Sequence, residues 1–263
     1  MARIFGIEGM IKMGFQKGSI TLSPTQDIPL LLQVLHSRFI THDQLREFML
    51  LDCHELKRAC FNWRVRRLVE SGLLNRDCAR PVTPSPVYSV TSVAALMLAE
   101  HCPVLDNGKQ KDASSATHLR HSIGLNELHL GLARQGALED WQSEVTIRAK
   151  NELTPSGYVK DYDAIVTVRI GERRVTFALE YERTPKKAKD YLQIRNLLEQ
   201  ENRIYRFLYI VPEPDLGSFI LDCFSGTTAA LFVGLAAEFT KSFGQMKVIE
   251  AASGATRAMI TAL

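Results

Sequence analysis

The sequence lacks several features that would assign it to a familiar functional class. It holds only five cysteines, an odd number without a CxxC pair, which argues against a disulfide framework or a zinc site. It has no glycine-rich phosphate loop and no H-E-x-x-H pattern, so a P-loop ATPase and a zinc protease of that kind are excluded. No apolar run is long enough to span a membrane, and residues 1–23 lack the order of a signal peptide. We therefore expect a cytoplasmic protein without a membrane partner.

The composition is that of an ordinary soluble chain with room for two domains. Of its residues, 46% are hydrophobic and 23% are charged. The formal net charge is only +3, so binding to nucleic acid would have to come from local basic patches. A polar stretch without periodicity predicts a linker between two structured regions. The predicted bounds are 1–25 for an N-terminal arm, 26–101 for the first domain, 102–116 for the linker and 117–263 for the second domain.

The first domain is predicted to contain three helices followed by a two-stranded hairpin. Thr41, followed three residues later by Gln44, matches a capping box and predicts the start of the second helix. Asp52 and Glu55 predict a similar cap for the third helix, which ends near Gly72. Three prolines between residues 81 and 86 then separate two short strands. With these bounds, the third helix is predicted to bury four side chains: Leu56, Cys60, Trp63 and Leu68.

This order of elements resembles a winged helix-turn-helix DNA-binding domain, and the resemblance covers residues 26–100. It implies that the third helix enters the major groove of duplex DNA while the wing contacts the phosphate backbone. Basic residues cluster on that helix and on the wing, as phosphate contacts require. Winged helices also serve as protein-interaction modules, which is the alternative interpretation. The predicted DNA-binding residues are Lys57, Arg58, Arg64, Arg66, Arg67, Arg76 and Arg80.

The second domain alternates helices and strands and predicts an α/β (α+β) fold with a mixed central sheet. Its first helix is predicted over 118–135, and a later helix ends near residue 202. The histidines of the first helix are interpreted as satisfied by hydrogen bonds or solvent-facing, because no acidic ligand pair accompanies them. Strands are predicted over 141–150, over 163–170 and 175–182 with one face buried, over 204–211 and 229–236, and at the sheet edge over 246–250.

Three carboxylates fall at the ends of two adjacent predicted strands. Alternation places Glu180 and Glu182 on one face of a strand, roughly 7 Å apart, and Asp163 begins the preceding strand. A helix is predicted to begin directly afterwards at residue 184, with Lys187 and Lys189 in its first turns. Clustered carboxylates with nearby lysines suit phosphodiester hydrolysis that depends on Mg²⁺ or Mn²⁺. The alternative interpretation is a set of solvated charges at a strand edge.

This arrangement resembles the PD-(D/E)XK nuclease-like core, with Asp163 and Glu180 at its acidic positions. The resemblance implies that these two residues hold Mg²⁺ or Mn²⁺ and that Glu127 on the preceding helix assists them. The sequence departs from the motif because Glu182 stands where the lysine belongs, which leaves Lys187 or Lys189 to replace it. If the protein is a nuclease, its predicted catalytic residues are Glu127, Asp163, Glu180, Glu182, Lys187 and Lys189.

The whole pattern is similar to that of the replication-relaxation family of plasmids and mobile elements. The matching phrases are His121 with Asn126-Glu127, and Glu180 to Thr184. The resemblance implies duplex DNA binding in plasmid replication, transfer or transcriptional control, and it does not establish cleavage. We favour a regulator without a cofactor, whose nuclease-like domain serves dimerisation or partner binding; a homodimer would suit a two-fold DNA site. The alternative is a metal-dependent endonuclease that the winged helix directs to DNA.

Overall fold

A computed structural model describes residues 20–78, 82–102 and 116–262. Most of the predicted arm, Arg80 and residues 103–115 of the predicted linker lie outside the described residues. We call residues 20–102 the helical unit and residues 116–262 the sheet unit. No helix within the described ranges is long and apolar enough to cross a membrane.

The helical unit consists of helices and a small antiparallel sheet. Its elements are α1 Asp27–Ser37, β1 Ile40–Thr41, α2 His42–Leu51, α3 Arg58–Glu70, β2 Leu74–Asp77, β3 Val87–Val90 and α4 Ser92–Met97. The predicted capping box is present, since the Thr41 hydroxyl accepts a hydrogen bond from the Gln44 backbone N–H (3.2 Å) and the Gln44 side chain accepts one from the Thr41 N–H (3.3 Å). The predicted hairpin β2–β3 is also present, and the short β1 extends it to the order β1-β3-β2.

The third helix differs from its predicted phase. It begins at Arg58 without a side-chain cap, so the cap predicted at Asp52 is wrong. Its buried apolar stripe is Phe61, Val65 and Leu68, at the i, i+4, i+7 spacing of a helix face. This rotation exposes Cys60 and Trp63, which were expected inside, and Leu56, which precedes the helix, is exposed as well.

The sheet unit is built on one seven-stranded sheet. Its elements are α5 Ala116–Arg134, β4 Leu138–Ser143, α6 Glu144–Leu153, β5 Ala164–Ile170, β6 Arg173–Tyr181, α7 Ala188–Gln200, β7 Arg206–Val211, α8 Pro214–Cys223, β8 Ala230–Leu235, α9 Ala236–Ser242, β9 Lys247–Glu250, β10 Thr256–Ala258 and α10 Met259–Ala262. The strand order is β10-β9-β8-β7-β6-β5-β4. The pairs β6–β7 and β7–β8 are parallel and the other pairs are antiparallel. The sheet is therefore mixed, and the fold is of the predicted α+β class.

Helices cover both faces of the central strands. Val166 on β5 packs in one core with Leu128 of α5 and Phe239 of α9. Its neighbour Ile165 packs in a second core on the opposite face, together with Ile147 of α6. The prediction that only one face of these strands is buried was therefore wrong, because both sets of alternating side chains lie under helices.

Three further predicted boundaries need correction. The strand predicted over 141–150 ends at Ser143, whose hydroxyl caps α6 by accepting a hydrogen bond from the Thr146 N–H (3.5 Å). The helix predicted to begin at residue 184 begins at Ala188, so Lys187 precedes it. β9 does not lie at the edge of the sheet, because β10 pairs antiparallel on its outer side.

Helix α5 of the sheet unit is hydrogen-bonded to the helical unit along its length. The Asn126 side chain donates to the carbonyl of Phe39 (2.9 Å), and the Gln44 side chain donates to the carbonyl of Ile123 (2.9 Å). Near the end of α5, both the Nε and an Nη atom of Arg134 donate to the Glu47 carboxylate (2.5 and 2.6 Å). These contacts fasten α5 to α2.

Candidate functional site

The fold brings the predicted carboxylates together at one end of the central strands. Ala164 pairs with Leu179 in the antiparallel β5–β6 register, so Asp163 lies opposite Glu180. Glu182 follows β6 by one residue, and both glutamates are only 8% exposed. The interpretation as solvated charges at a strand edge is therefore wrong.

Each carboxylate of this acidic cluster has its own cationic or imidazole partner. Asp163 accepts a hydrogen bond from the Tyr181 N–H (2.7 Å), and its other oxygen lies 3.2 Å from Nε2 of His121. Glu180 pairs with the ammonium group of Lys160, and Glu182 pairs with that of Lys186. Because buried charges are costly without such partners, these ion pairs are what allows three acids to lie together.

The surroundings lower the pKa of Asp163 and raise the pKa values of Glu180 and His121. Burial by itself would raise the pKa of Asp163, but the hydrogen bonds from His121 and the Tyr181 N–H outweigh burial and hold that pKa below its usual value. Burial raises the pKa of Glu180 despite Lys160, and the nearby charge of Asp163 adds to the rise. Burial would lower the pKa of His121, yet its contact with Asp163 wins and raises it.

Tyr209 lies directly beside the cluster. It stands opposite Glu180 in the parallel β6–β7 pair, and its hydroxyl is buried without a hydrogen-bond partner. Burial and the charges of Glu180, Glu182 and Asp163 raise its pKa well above the usual value. The phenol therefore keeps its proton beside the acids.

The other residues predicted for a nuclease site lie elsewhere. Glu127 accepts a hydrogen bond from Gln44 (2.8 Å) and lies 3.7 Å from an Nη atom of Arg134, so it belongs to the contact between α5 and α2. Lys187 and Lys189 are exposed at the start of α7, while the neighbouring Lys186 supplies the ammonium group that Glu182 contacts.

Sequence reasoning missed three members of the site. His121 was interpreted as satisfied or solvent-facing and was not assigned to the site, but its partner is Asp163. Lys160 was also missed. Its position only three residues before Asp163 is the one feature of the sequence that could have pointed to its role. Glu144 was placed inside a strand, whereas it begins α6 and contacts Arg38 of the helical unit at 2.9 Å. Burial raises the pKa of Glu144, and the charge of Asp163 adds to that rise.

The Mg²⁺ or Mn²⁺ implied by the nuclease resemblance does not fit the cluster as it is arranged. Each of the three carboxylates has one oxygen paired with an ammonium group or an imidazole, so the positive charge that an ion would supply is already present. Among the described residues, no three His, Cys, Asp or Glu side chains are grouped so that they could hold a metal ion. We therefore derive no chemical step through a metal.

Helix α3 holds the second candidate site, and there the expected exposure of Arg64 was wrong. Its guanidinium is buried and contacts the carboxylates of Asp27 (2.7 Å) and Glu55 (3.3 Å). Arg67 is half-buried, pairs with the same Asp27, and lies 4.9 Å from the ring centre of Trp63. Because Asp27 is fully buried, it needs these counter-charges inside the helical unit.

The remaining predicted basic residues stay exposed. Arg58 and Arg66 lie on the outer face of α3, at i and i+8, with Asn62 between them. Lys57 directly precedes the helix and Arg76 lies on β2, and both are exposed. We call Lys57, Arg58, Asn62, Arg66 and Arg76 the basic face.

A family model described as Replication-relaxation matches residues 32–204. The match runs from α1 to the loop before β7, so it includes both the basic face and the acidic cluster. Neither the curated proteins nor the solved structures give a match to the chain.

Proposed function

The chain belongs to the replication-relaxation family, and we propose that it is a DNA-binding regulator of a plasmid or mobile element. In this proposal the basic face binds duplex DNA and controls transcription, replication or transfer. The sheet unit serves dimerisation or partner binding.

The composition of the α3 surface carries this proposal. Lys57, Arg58 and Arg66 are exposed there, and the only exposed acid on the helix is Glu70. Phe61 on the opposite side of α3 is buried in the core, so these cations cannot turn inward without disrupting it. Exposed cations on one helix face are what binding to DNA phosphates requires.

Binding measured against salt tests the proposal. We expect Arg58→Ala and Arg66→Ala each to weaken binding to a duplex, and to reduce the slope of log K against log salt by about 0.9 for each lost phosphate contact. Arg203→Ala is the matched control, because Arg203 is an exposed arginine of the sheet unit. Equal slopes for all three variants and the unaltered protein would contradict the assignment to α3.

A metal-dependent endonuclease is the second candidate. It would require the ion pairs of Glu180 and Glu182 to open so that a metal could bind, and one observation favours it. Asp163 and Glu180 lie opposite each other on neighbouring strands, with Lys160 beside them. The test is incubation of supercoiled DNA with the protein in Mg²⁺, in Mn²⁺ and in chelator, next to an Asp163→Asn/Glu180→Gln variant. We expect binding without cutting in every condition. Cutting that requires metal and is lost in the variant would establish the endonuclease instead.

A further inference from the structure

A hydrogen-bonded relay connects the hairpin to the outer face of α3. The Tyr88 hydroxyl on β3 lies 3.1 Å from Nδ1 of His42, the first residue of α2. The other ring nitrogen of His42, Nε2, lies 3.1 Å from Oδ1 of Asn62 on α3. The His42 ring also packs at a centroid distance of 5.1 Å against the buried Phe61. Three elements of the helical unit thus converge on one exposed amide.

The polarity of this relay follows from the groups involved. A carboxamide oxygen only accepts hydrogen bonds, so Nε2 of His42 carries the proton and donates it to Asn62. In the neutral ring Nδ1 is then the acceptor, and the Tyr88 hydroxyl donates to it. Burial raises the pKa of Tyr88, so the phenol keeps the proton that it donates. The amide of Asn62 is therefore held with Oδ1 toward His42, and its NH₂ group has no hydrogen-bond partner among the residues that the structure describes.

We propose that Asn62 is a base-reading residue that selects adenine in the major groove, and that His42 is the positioning residue that orients its amide. The inference rests on the proposed DNA binding by the basic face. Adenine offers N7 as an acceptor and the N6 amino group as a donor, so it matches both sides of an asparagine amide. The second lone pair of Oδ1 remains available for N6 beside the bond from His42.

Guanine fits this amide less well. It presents two acceptors, N7 and O6, so one of them would face the amide oxygen of Asn62. Arg58 and Arg66 lie one turn away on either side of Asn62, where they reach the phosphates or bases flanking the same step. The relay therefore adds sequence discrimination to a row of cations that alone would bind any duplex.

The first test selects bound duplexes from a random-sequence pool with the unaltered protein and with Asn62→Ala. We expect the unaltered protein to enrich a motif with an adenine at one position, and Asn62→Ala to lose that preference while keeping its salt slope. Replacing that adenine by 7-deazaadenine removes N7, which should weaken the unaltered protein about 5- to 100-fold and leave Asn62→Ala unchanged. Asn62→Asp should repel DNA and lose binding. Its control is Asn202→Asp, because Asn202 is an exposed asparagine of the sheet unit.

His42→Phe tests the positioning role, because phenylalanine keeps the ring against Phe61 and removes both hydrogen bonds. We expect the adenine preference to fall with an unchanged salt slope, and the loss of the hydrogen bond to the buried Tyr88 to lower the thermal midpoint slightly. An unaltered motif in Asn62→Ala, while Arg66→Ala still lowers the slope, would overturn the inference and leave the proposed function standing. Failure of the unaltered protein to retain any duplex would overturn both.

Discussion

Replacing Arg64 should destabilise the protein rather than remove a DNA contact. In Arg64→Ala the fully buried Asp27 loses one of its two guanidinium partners, and the buried Glu55 loses its own. Breaking a buried ion pair from one side typically costs about 3–5 kcal/mol. Asp27 keeps Arg67 and the Ser23 N–H (2.6 Å), so we expect a loss of about 3 kcal/mol in the free energy of unfolding.

Arg66→Ala is the matched comparison on the same helix. Its side chain is 68% exposed and its nearest carboxylate, that of Glu70, lies 3.9 Å away. We expect it to change the free energy of unfolding by less than about 0.5 kcal/mol. Urea unfolding followed by circular dichroism gives both values. Asp27→Asn combined with Arg64→Ala should cost less than the sum of the two single changes.

Arg64→Ala and Arg66→Ala should also differ in how their stability depends on pH and in how they affect DNA binding. Burial alone would raise the pKa of Asp27, but Arg67, the Ser23 N–H and Arg64 hold it below the usual value. Its contribution to stability is therefore present above the ordinary carboxyl pKa and is lost as the pH falls through the lowered one. The opposite result is that Arg64→Ala and Arg66→Ala lose equally little free energy of unfolding and reduce the salt slope of DNA binding equally. That result would refute the burial of Arg64 and support the exposed arginine that the sequence predicted.

Two further changes test the packing around α5. The His129 ring stacks on Trp141 at 4.2 Å, and burial lowers its pKa to about 3. Below neutral pH the unfolded chain therefore binds more protons than the folded one, so about 2 kcal/mol of the free energy of unfolding should be lost between neutral pH and pH 5. His129→Phe should flatten that loss in urea midpoints taken at the two pH values. Gly131→Ala places a Cβ 2.8 Å from the Cα of Thr240 and should cost about 1–3 kcal/mol in thermal or urea unfolding. Gly244→Ala meets open space and should change little, and a similar cost for both would contradict this account.

Features of the fold that depend on near neighbours could be predicted from the sequence. The capping box at Thr41 needs only residues three apart, and the alternation in β5 and β6 is local to each strand. The true stripe of α3, Phe61, Val65 and Leu68, also has local helical spacing, but the burial of Arg64 beside it could not be predicted in this way. Arg64 looks exposed by charge, but its burial depends on Asp27, which lies 37 residues earlier in the chain. Charge alone therefore marks a buried arginine as exposed.

The same distinction applies to the acidic cluster. Asp163 and Glu180 belong to one hairpin, so their proximity follows from local pairing. Their partners do not follow from it, because His121 comes from a helix more than 40 residues earlier and Lys160 from an irregular loop. Whether an acidic cluster is open to a metal or closed by ion pairs depends on these tertiary contacts.

Helix α5 accounts for a phrase that the sequence offered without an explanation. His121, near its start, contacts Asp163 of the acidic cluster. Asn126 and Glu127, five and six residues later, bond to the Phe39 carbonyl and to the Gln44 side chain of the helical unit. The phrase is therefore explained as a joint between the two units, and Glu127 belongs to this joint rather than assisting Asp163 and Glu180. A change in the pairing of Asp163 that shifts α5 would also move α2. His42 lies on α2 and is hydrogen-bonded to the amide of Asn62 on α3, so the position of that amide would change too. These contacts connect the acidic cluster of the sheet unit to the basic face that is proposed to bind DNA.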